Sequence, residues 1–129
     1  MAQSLVLLDT SFLIRSLVQS SAEAEALRKW VMAGTPRTGI SSVAWAEFLC
    51  SPLNSHQLAL AAQIVGEPES FSGEDSAVAA NLYNQSGRRR GSLMDCMIAA
   101  VALRLGASLA TANPGDFRHF KDLKLLRIG

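Results

Sequence analysis

The sequence contains few of the residues that hold small disulfide-rich or zinc-stabilised domains together. Its 129 residues include only two cysteines, Cys50 and Cys96. They are far apart and belong to no CxxC pair or Cys/His set with zinc-binding spacing. We therefore expect both thiols to be reduced and buried. A chain of this length can bury a continuous core without such links, so we predict a single domain over residues 1–129.

Long hydrophobic runs and an excess of one charge are also missing. Asp9 interrupts the first apolar stretch, and the stretch 96–103 is too short to cross a bilayer. The N-terminus lacks the basic region and cleavage site of a signal peptide, so we expect a cytoplasmic protein with no membrane association. Twelve basic and eleven acidic residues give a net charge of +1. This balance argues against a uniformly basic nucleic-acid binder but is compatible with a local basic patch.

The clearest strand pattern lies near the start of the chain, where the apolar run 5–8 ends on Asp9. A short run without alternation is typical of a strand covered on both faces, as in parallel sheets wrapped by helices. Ligands of open α/β sheets bind outside the carboxyl ends of the strands, which is where Asp9 would lie. An equally good interpretation is that Asp9 caps the helix that begins at Thr10.

The rest of the chain alternates helical and strand patterns, which predicts an α/β fold. After the first helix, we expect helices over 21–33, 43–50, 56–65, 72–84 and 92–105, and strands over 38–41, 69–71, 107–110 and 124–128. Ser42 is the expected N-cap of the helix 43–50. The inner face of the helix 72–84 is predicted to contain Ala77, Ala80 and either Leu82 or Tyr83.

Several acidic residues fall where strands end or helices begin. Glu47 lies among apolar residues of the helix 43–50, which favours a polar cleft around it over open solvent. Asp95 is the only acid of the helix 92–105, where Ser92 and Asp95 also fit a capping box. The turn after the strand 107–110 contains Asn113 and Asp116, which Asx turns would explain without a function.

Carboxylates gathered at one edge of a sheet repel each other unless they bind a cation. Mg²⁺ takes few protein carboxylates and keeps waters and substrate phosphates. Such a site can activate a water for in-line phosphoryl displacement. The pattern of acids therefore favours a phosphate-handling metal site.

A basic segment precedes Asp95. Arg88, Arg89 and Arg90 stand between two glycines. Such a run is usually a solvated surface, but arginine also offers a planar fork of donors that fits phosphate oxygens. We keep both interpretations, and we predict RNA binding by the three arginines if the loop borders the acids.

Four motifs together resemble those of PIN-domain ribonucleases, in particular the small VapC-type toxins. They are Leu7-Leu8-Asp9-Thr10-Ser11-Phe12-Leu13-Ile14, Glu47 after Ser41-Ser42, Asp95-Cys96-Met97-Ile98-Ala99-Ala100, and Thr111-Ala112-Asn113-Pro114-Gly115-Asp116-Phe117. The resemblance covers essentially the whole chain. It implies a three-layer α/β/α sandwich around a parallel five-stranded sheet, Mg²⁺- or Mn²⁺-dependent cleavage of RNA, homodimerisation, and neutralisation by a cognate VapB-like antitoxin.

The resemblance also assigns roles by motif. It places Asp9, Glu47 and Asp95 in the acidic catalytic core, with Asp9 and Asp95 as metal ligands. Thr10 and Thr111 would be supporting hydroxyls. The fourth acidic position stays open, since relatives can have an aspartate where Asn113 stands, whereas Asp116 supplies the nearest carboxylate in this chain.

Two other classes of protein compete with this interpretation. A haloacid-dehalogenase-like phosphatase would need an aspartate where Ser11 stands, and the chain contains neither GxGxxG nor a P-loop. A PIN-like module that binds RNA or protein without catalysis is the second alternative. The presence of Asp9, Glu47 and Asp95 argues against it.

Overall fold

The computed structural model describes residues 4–86 and 92–128, without the side chain of Ser92. The α/β fold is as predicted. In chain order its elements are β1 (Leu5–Leu8), α1 (Thr10–Ser16), α2 (Ala22–Ala33), β2 (Arg37–Gly39), α3 (Ser42–Leu49), α4 (Ser55–Val65), α5 (Gly73–Gln85), α6 (Ser92–Leu105), β3 (Ser108–Ala110) and a 3₁₀ turn (Pro114–Asp116). Within these ranges no helix is both long and apolar enough to cross a membrane.

The strands form a parallel sheet in the order β2-β1-β3. The resemblance implied five strands, but the described residues form three, with a single parallel bridge at each edge. At one edge Glu69 bridges to Ser41, and Pro68 before it has no N–H with which to extend a ladder. At the other edge only Leu109 of β3 pairs outward, to Lys124 and Leu126. The two outer segments therefore align with the sheet for one residue each.

The core surrounds β1 and α6. Val6, Leu7 and Leu8 are completely or almost completely buried, as the apolar run predicted. In α6 the buried residues are Cys96 and the run from Ile98 to Ala102, so this helix is central. Burying a Val or Leu side chain stabilises a fold by roughly 1.5–3 kcal/mol. The two elements that carry Asp9 and Asp95 are thus among the most firmly packed in the molecule.

Side-chain caps define where several helices begin. Ser41, and not Ser42 as predicted, caps α3, because the hydroxyl of Ser41 accepts the N–H of Ala44 at 3.1 Å. Ser42 is already helical, and its hydroxyl accepts the N–H of Phe71 instead. Either serine could serve as an N-cap. Because β2 ends at Gly39 and α3 begins at Ser42, Ser41 is the residue at the N-cap position.

Two predictions of burial are wrong. In α5, Ala77 and Ala80 are exposed and Ala79 is buried, because the inner face is set by Asp75, which is buried against Arg104. Cys96 is buried as expected, but Cys50 is exposed, because it follows the last turn of α3 on the solvent side of that helix.

Candidate functional site

Asp9 lies at the junction of β1 and α1 and has both of the roles considered for it. Its N–H donates to the carbonyl of Ala110, so it follows directly from the centre of the sheet. Its Oδ1 accepts the N–H of Phe12 at 2.9 Å, which makes it the N-cap of α1. Its Oδ2 accepts the hydroxyl of Thr111 at 2.5 Å. A cap needs only one of these oxygens, so capping does not account for the second bond.

A serine that the sequence analysis did not assign completes the surroundings of Asp9. The hydroxyl of Ser11 donates to Asp9 Oδ1 at 2.7 Å and accepts the N–H of Ala112 at 3.1 Å. Its position two residues after Asp9 was the only signal in the sequence, and serine at the start of a helix has an ordinary structural explanation. Ser11 and Thr111 together hold the carboxylate of Asp9 from two strand ends.

Glu47 reaches the same region from α3. Its Oε1 lies 2.5 Å from the hydroxyl of Thr10, which is also 3.1 Å from the carbonyl of Ala44. Thr10 is buried, whereas Glu47 is an exposed residue rather than one enclosed in a cleft. The contact between α1 and α3 thus fixes one carboxylate oxygen of Glu47 beside the residue that follows Asp9.

The pKa of Asp95 indicates that the other three acids lie near it. Burial, and then the negative charges of Asp116, Asp9 and Glu47 in that order, raise the pKa of Asp95 from 3.8 to about 6. Burial also raises the pKa of Asp9, with a smaller contribution from Glu47, against the opposing effect of its hydrogen bonds. The four carboxylates therefore share one negative field at the carboxyl edge of the sheet.

The fourth acidic position was open between Asn113 and Asp116. Asp116 ends the exposed 3₁₀ turn, and its charge affects Asp95 more than that of any other carboxylate. The side chain of Asn113 makes no capping bond at the start of that turn, and its N–H donates to Thr111 at 3.0 Å. Of these two residues, Asp116 is the one whose charge acts on the pKa of Asp95, and Asn113 contacts Thr111 through its backbone.

The donor set fits a cation with few protein ligands better than an all-protein cage. Within residues 4–86 and 92–128, no three histidine, cysteine or acidic residues are grouped closely enough to hold a metal together. Mg²⁺ prefers oxygen ligands and is often bound by one or two carboxylates, completed by water and substrate phosphate. Asp9 and Asp95 offer such oxygens, and the repulsion among the four acids is what a bound cation would relieve.

Two predictions depend on parts of the chain that the structure does not describe. Arg88, Arg89 and Arg90 fall in the segment 87–91, which is not among the described residues. The capping box of Ser92 and Asp95 is likewise untested, because it depends on the side chain of Ser92.

Comparison with known proteins gives the family and the fold of the chain. Residues 6–123 match the PIN domain family model, and no curated protein matches the sequence. Among solved structures, the fold resembles a chain of VapBC2 from Rickettsia felis bound to a DNA fragment from their promoter. The TM-score is 0.77 at 22% identity, over 95% of this chain and 97% of that chain.

Two further structures are similar at the same level. A toxin-antitoxin complex from Klebsiella pneumoniae gives a TM-score of 0.72 at 23% identity, over 92% of this chain and 94% of that one. DNA-bound VapBC from Salmonella typhimurium gives 0.72 at 19% identity, over 98% of each chain. Such identities show a shared fold, and the family model spans most of the sequence. The chain therefore belongs to the PIN domain family.

Proposed function

We propose that this protein is a divalent-cation-dependent endoribonuclease that acts as the toxin of a toxin-antitoxin pair. The observation that carries the proposal is the Asp95 carboxyl, whose pKa is raised by burial and by three other carboxylates. Strongly perturbed acids that cluster at the carboxyl edge of a parallel sheet are candidates for a catalytic site. Membership of the PIN domain family and the similarity in fold to VapBC chains support the same function.

In this proposal Asp9 and Asp95 hold Mg²⁺ or Mn²⁺. When bound, such an ion activates a water and offsets the charge that develops on the phosphodiester during in-line displacement. Thr111 holds Asp9 in place through Oδ2, and Thr10 holds Glu47 through Oε1. The carboxylate of Glu47 is exposed, so it can orient the attacking water or accept its proton.

The RNA itself would be held by basic side chains near the acids. Arg88, Arg89 and Arg90 lead into α6 and hence toward Asp95 in the sequence. Their role in binding RNA is proposed from the sequence alone. Contacts between arginines and phosphates would make binding weaken with increasing salt, and neutralising the three residues would reduce that salt dependence.

Cleavage should depend on a divalent cation. Purified protein is expected to cut single-stranded RNA with Mg²⁺ or Mn²⁺, to stop in excess EDTA, and to resume when the ion is restored. Labelled RNA on a denaturing gel measures this directly. Equal cleavage by metal-free protein would contradict the mechanism. Metal-insensitive binding of RNA without cleavage would instead identify a catalytically silent PIN-like module.

We also propose two protein partners. One is a VapB-like antitoxin, as in complexes of similar fold. The other is a second copy of the chain, joined through the helical pair formed by α3 and α4, where Leu58 is 38% exposed. An exposed leucine on such a surface is suited to an isologous interface.

Leu58→Glu should therefore convert a dimer into monomers, because it places a charge in the apolar contact. Light scattering at micromolar concentration gives the mass of each species. Val31→Glu on α2 is the matched control, since Val31 is also exposed but lies on another helix. The control should keep the wild-type mass. A wild-type protein with the mass of one chain would contradict the dimer.

A further inference from the structure

One hydroxyl joins the ends of two neighbouring strands in this molecule. Ser11 follows β1 in the first turn of α1, and Ala112 follows β3. The Ser11 hydroxyl donates to Asp9 Oδ1 and accepts the Ala112 N–H, so it connects the carboxylate to the segment that leads to Asp116. This connection spans 101 residues of sequence.

Counting hydroxyl protons shows which group donates and which accepts in each of these hydrogen bonds. Each hydroxyl has a single proton. That of Ser11 is directed to Asp9 Oδ1, and that of Thr111 to Asp9 Oδ2. The 3.3 Å contact between the two hydroxyl oxygens therefore receives neither proton. Each hydroxyl also accepts a backbone N–H, Ser11 from Ala112 and Thr111 from Asn113, which fixes the direction of both.

Counting lone pairs shows what this leaves for a ligand. Each carboxylate oxygen has two acceptor positions. Oδ1 of Asp9 accepts from Ser11 and from the N–H of Phe12, so both of its positions are used. Oδ2 accepts from Thr111 and keeps one position. A cation approaching Asp9 thus finds a single available position.

We propose that Ser11 is a positioning residue that locks Asp9 to the segment 111–116, so that Asp9 binds a divalent cation through Oδ2 alone. The cation in this statement rests on the proposed function. The lock does not, because its hydrogen bonds join residues of this chain to one another. Removing the Ser11 hydroxyl frees one position on Oδ1 and leaves the N–H of Ala112 without its acceptor.

The chain offers a closely matched control serine. The hydroxyl of Ser21 donates to the carbonyl of Arg15 at 2.7 Å and accepts the N–H of Ala24 at 3.0 Å. Ser21→Ala therefore removes one donated and one accepted bond, as Ser11→Ala does, but it does so at the start of α2. Effects shared by the two variants report general stability, and effects specific to Ser11→Ala report positioning.

The first measurement is amide hydrogen exchange in EDTA. In Ser11→Ala we expect the N–H of Ala112 to exchange about tenfold faster than in wild type, because a lost hydrogen bond lowers the free energy of local opening. Ser21→Ala should leave Ala112 unchanged. Ser11→Thr keeps the hydroxyl and should restore slow exchange. If Ser11→Ala does not fold, Ser11→Cys, with its weak donor, gives the same comparison.

The second measurement is Mn²⁺ affinity, titrated by electron paramagnetic resonance with the whole chain. Loss of a residue that orients a ligand typically weakens metal binding by about 10- to 100-fold, which we expect for Ser11→Ala. Ser21→Ala and Ser11→Thr should bind Mn²⁺ as wild type does, because neither variant removes the hydroxyl that holds Asp9.

Unchanged Ala112 exchange in Ser11→Ala, or equal loss of affinity in Ser11→Ala and Ser21→Ala, would overturn the proposal. A wild-type protein that binds no Mn²⁺ would contradict the proposed function. In that case the exchange rate of the Ala112 N–H alone would test whether Ser11 locks Asp9 to the segment 111–116.

Discussion

Asp95→Asn is expected to melt above wild type at pH 7 in EDTA, and to lose the RNA cleavage that we expect of wild type with Mg²⁺ or Mn²⁺. The pKa of Asp95 is about 6 in the folded protein, against an ordinary value of 3.8. Ionising this carboxyl at pH 7 therefore costs the folded state roughly 3 kcal/mol before solvent screening, and about half of that after it. The amide has no charge, so the variant avoids this cost.

The gain should depend on pH with a definite sign. Because the pKa of Asp95 is higher in the folded than in the unfolded state, the folded protein binds more protons between about pH 4 and 6. The free energy of unfolding of wild type should fall as pH rises through this window. Above it Asp95 is fully ionised, and the folded state bears the whole cost of that charge. We expect the variant to melt about 4 to 8 °C higher at pH 7, and the difference to vanish near pH 4.

Thermal melts in EDTA across this pH range measure the effect. Asp122→Asn is the control, because Asp122 is an exposed acid that does not affect the pKa of Asp95. Saturating Mg²⁺ should stabilise wild type more than Asp95→Asn, since a ligand stabilises the protein that binds it. A variant that melts lower in EDTA and gains as much from Mg²⁺ as wild type would reduce Asp95 to a residue that favours the start of α6.

Arg104→Ala is expected to lower the melting temperature by about 10 °C, because it leaves a buried charge unpaired. Asp75 is 1% exposed, and the Nε of Arg104 donates to its oxygens at 2.9 and 3.2 Å. Burial alone would raise the pKa of Asp75, but the bonds from Arg104 and Ser72 outweigh it and hold this pKa below its usual value. Arg104 also donates to the carbonyl of Ser70 at 2.8 Å.

Arg28→Ala provides the matched control, since Arg28 pairs with Glu25 on the surface of α2. Exposed pairs contribute little, so this variant should melt within about 1 °C of wild type. Scanning calorimetry at neutral pH compares the two variants directly. Similar melting temperatures for both would show that the contact between α5 and α6 does not depend on the Asp75 pair.

The sequence predicted the parts of the molecule that local patterns determine. The position of Asp9 followed from an apolar run that ends on a carboxylate, and the burial of α6 followed from residues that are apolar on all sides. Both signals lie within a few consecutive residues. Neighbouring serines show the limit of this approach, because Ser41 and Ser42 are equally suited to cap α3 and only the end of β2 decides between them.

Contacts between distant residues could not be predicted in the same way. The partner of Ser11 is 101 residues away, and that of Asp75 is 29 residues away. Nothing near either residue in the sequence indicates its partner. The prediction of an edge strand over 124–128 failed for a similar reason. Apolar residues around Leu125 predicted a strand, but in the short β3 only Leu109 pairs with this segment.

Whether the four carboxylates act as one cation-dependent site is tested most directly by cleavage of one end-labelled single-stranded RNA in Mn²⁺. Wild type, Asp95→Asn and Asp122→Asn are compared at equal concentration, with enzyme in excess of RNA. Wild type and Asp122→Asn should cleave at similar rates. Asp95→Asn should be slower by about a hundredfold or more, since loss of a metal site costs several kcal/mol of transition-state stabilisation. Cleavage by Asp95→Asn at the wild-type rate would contradict a catalytic role for this cluster.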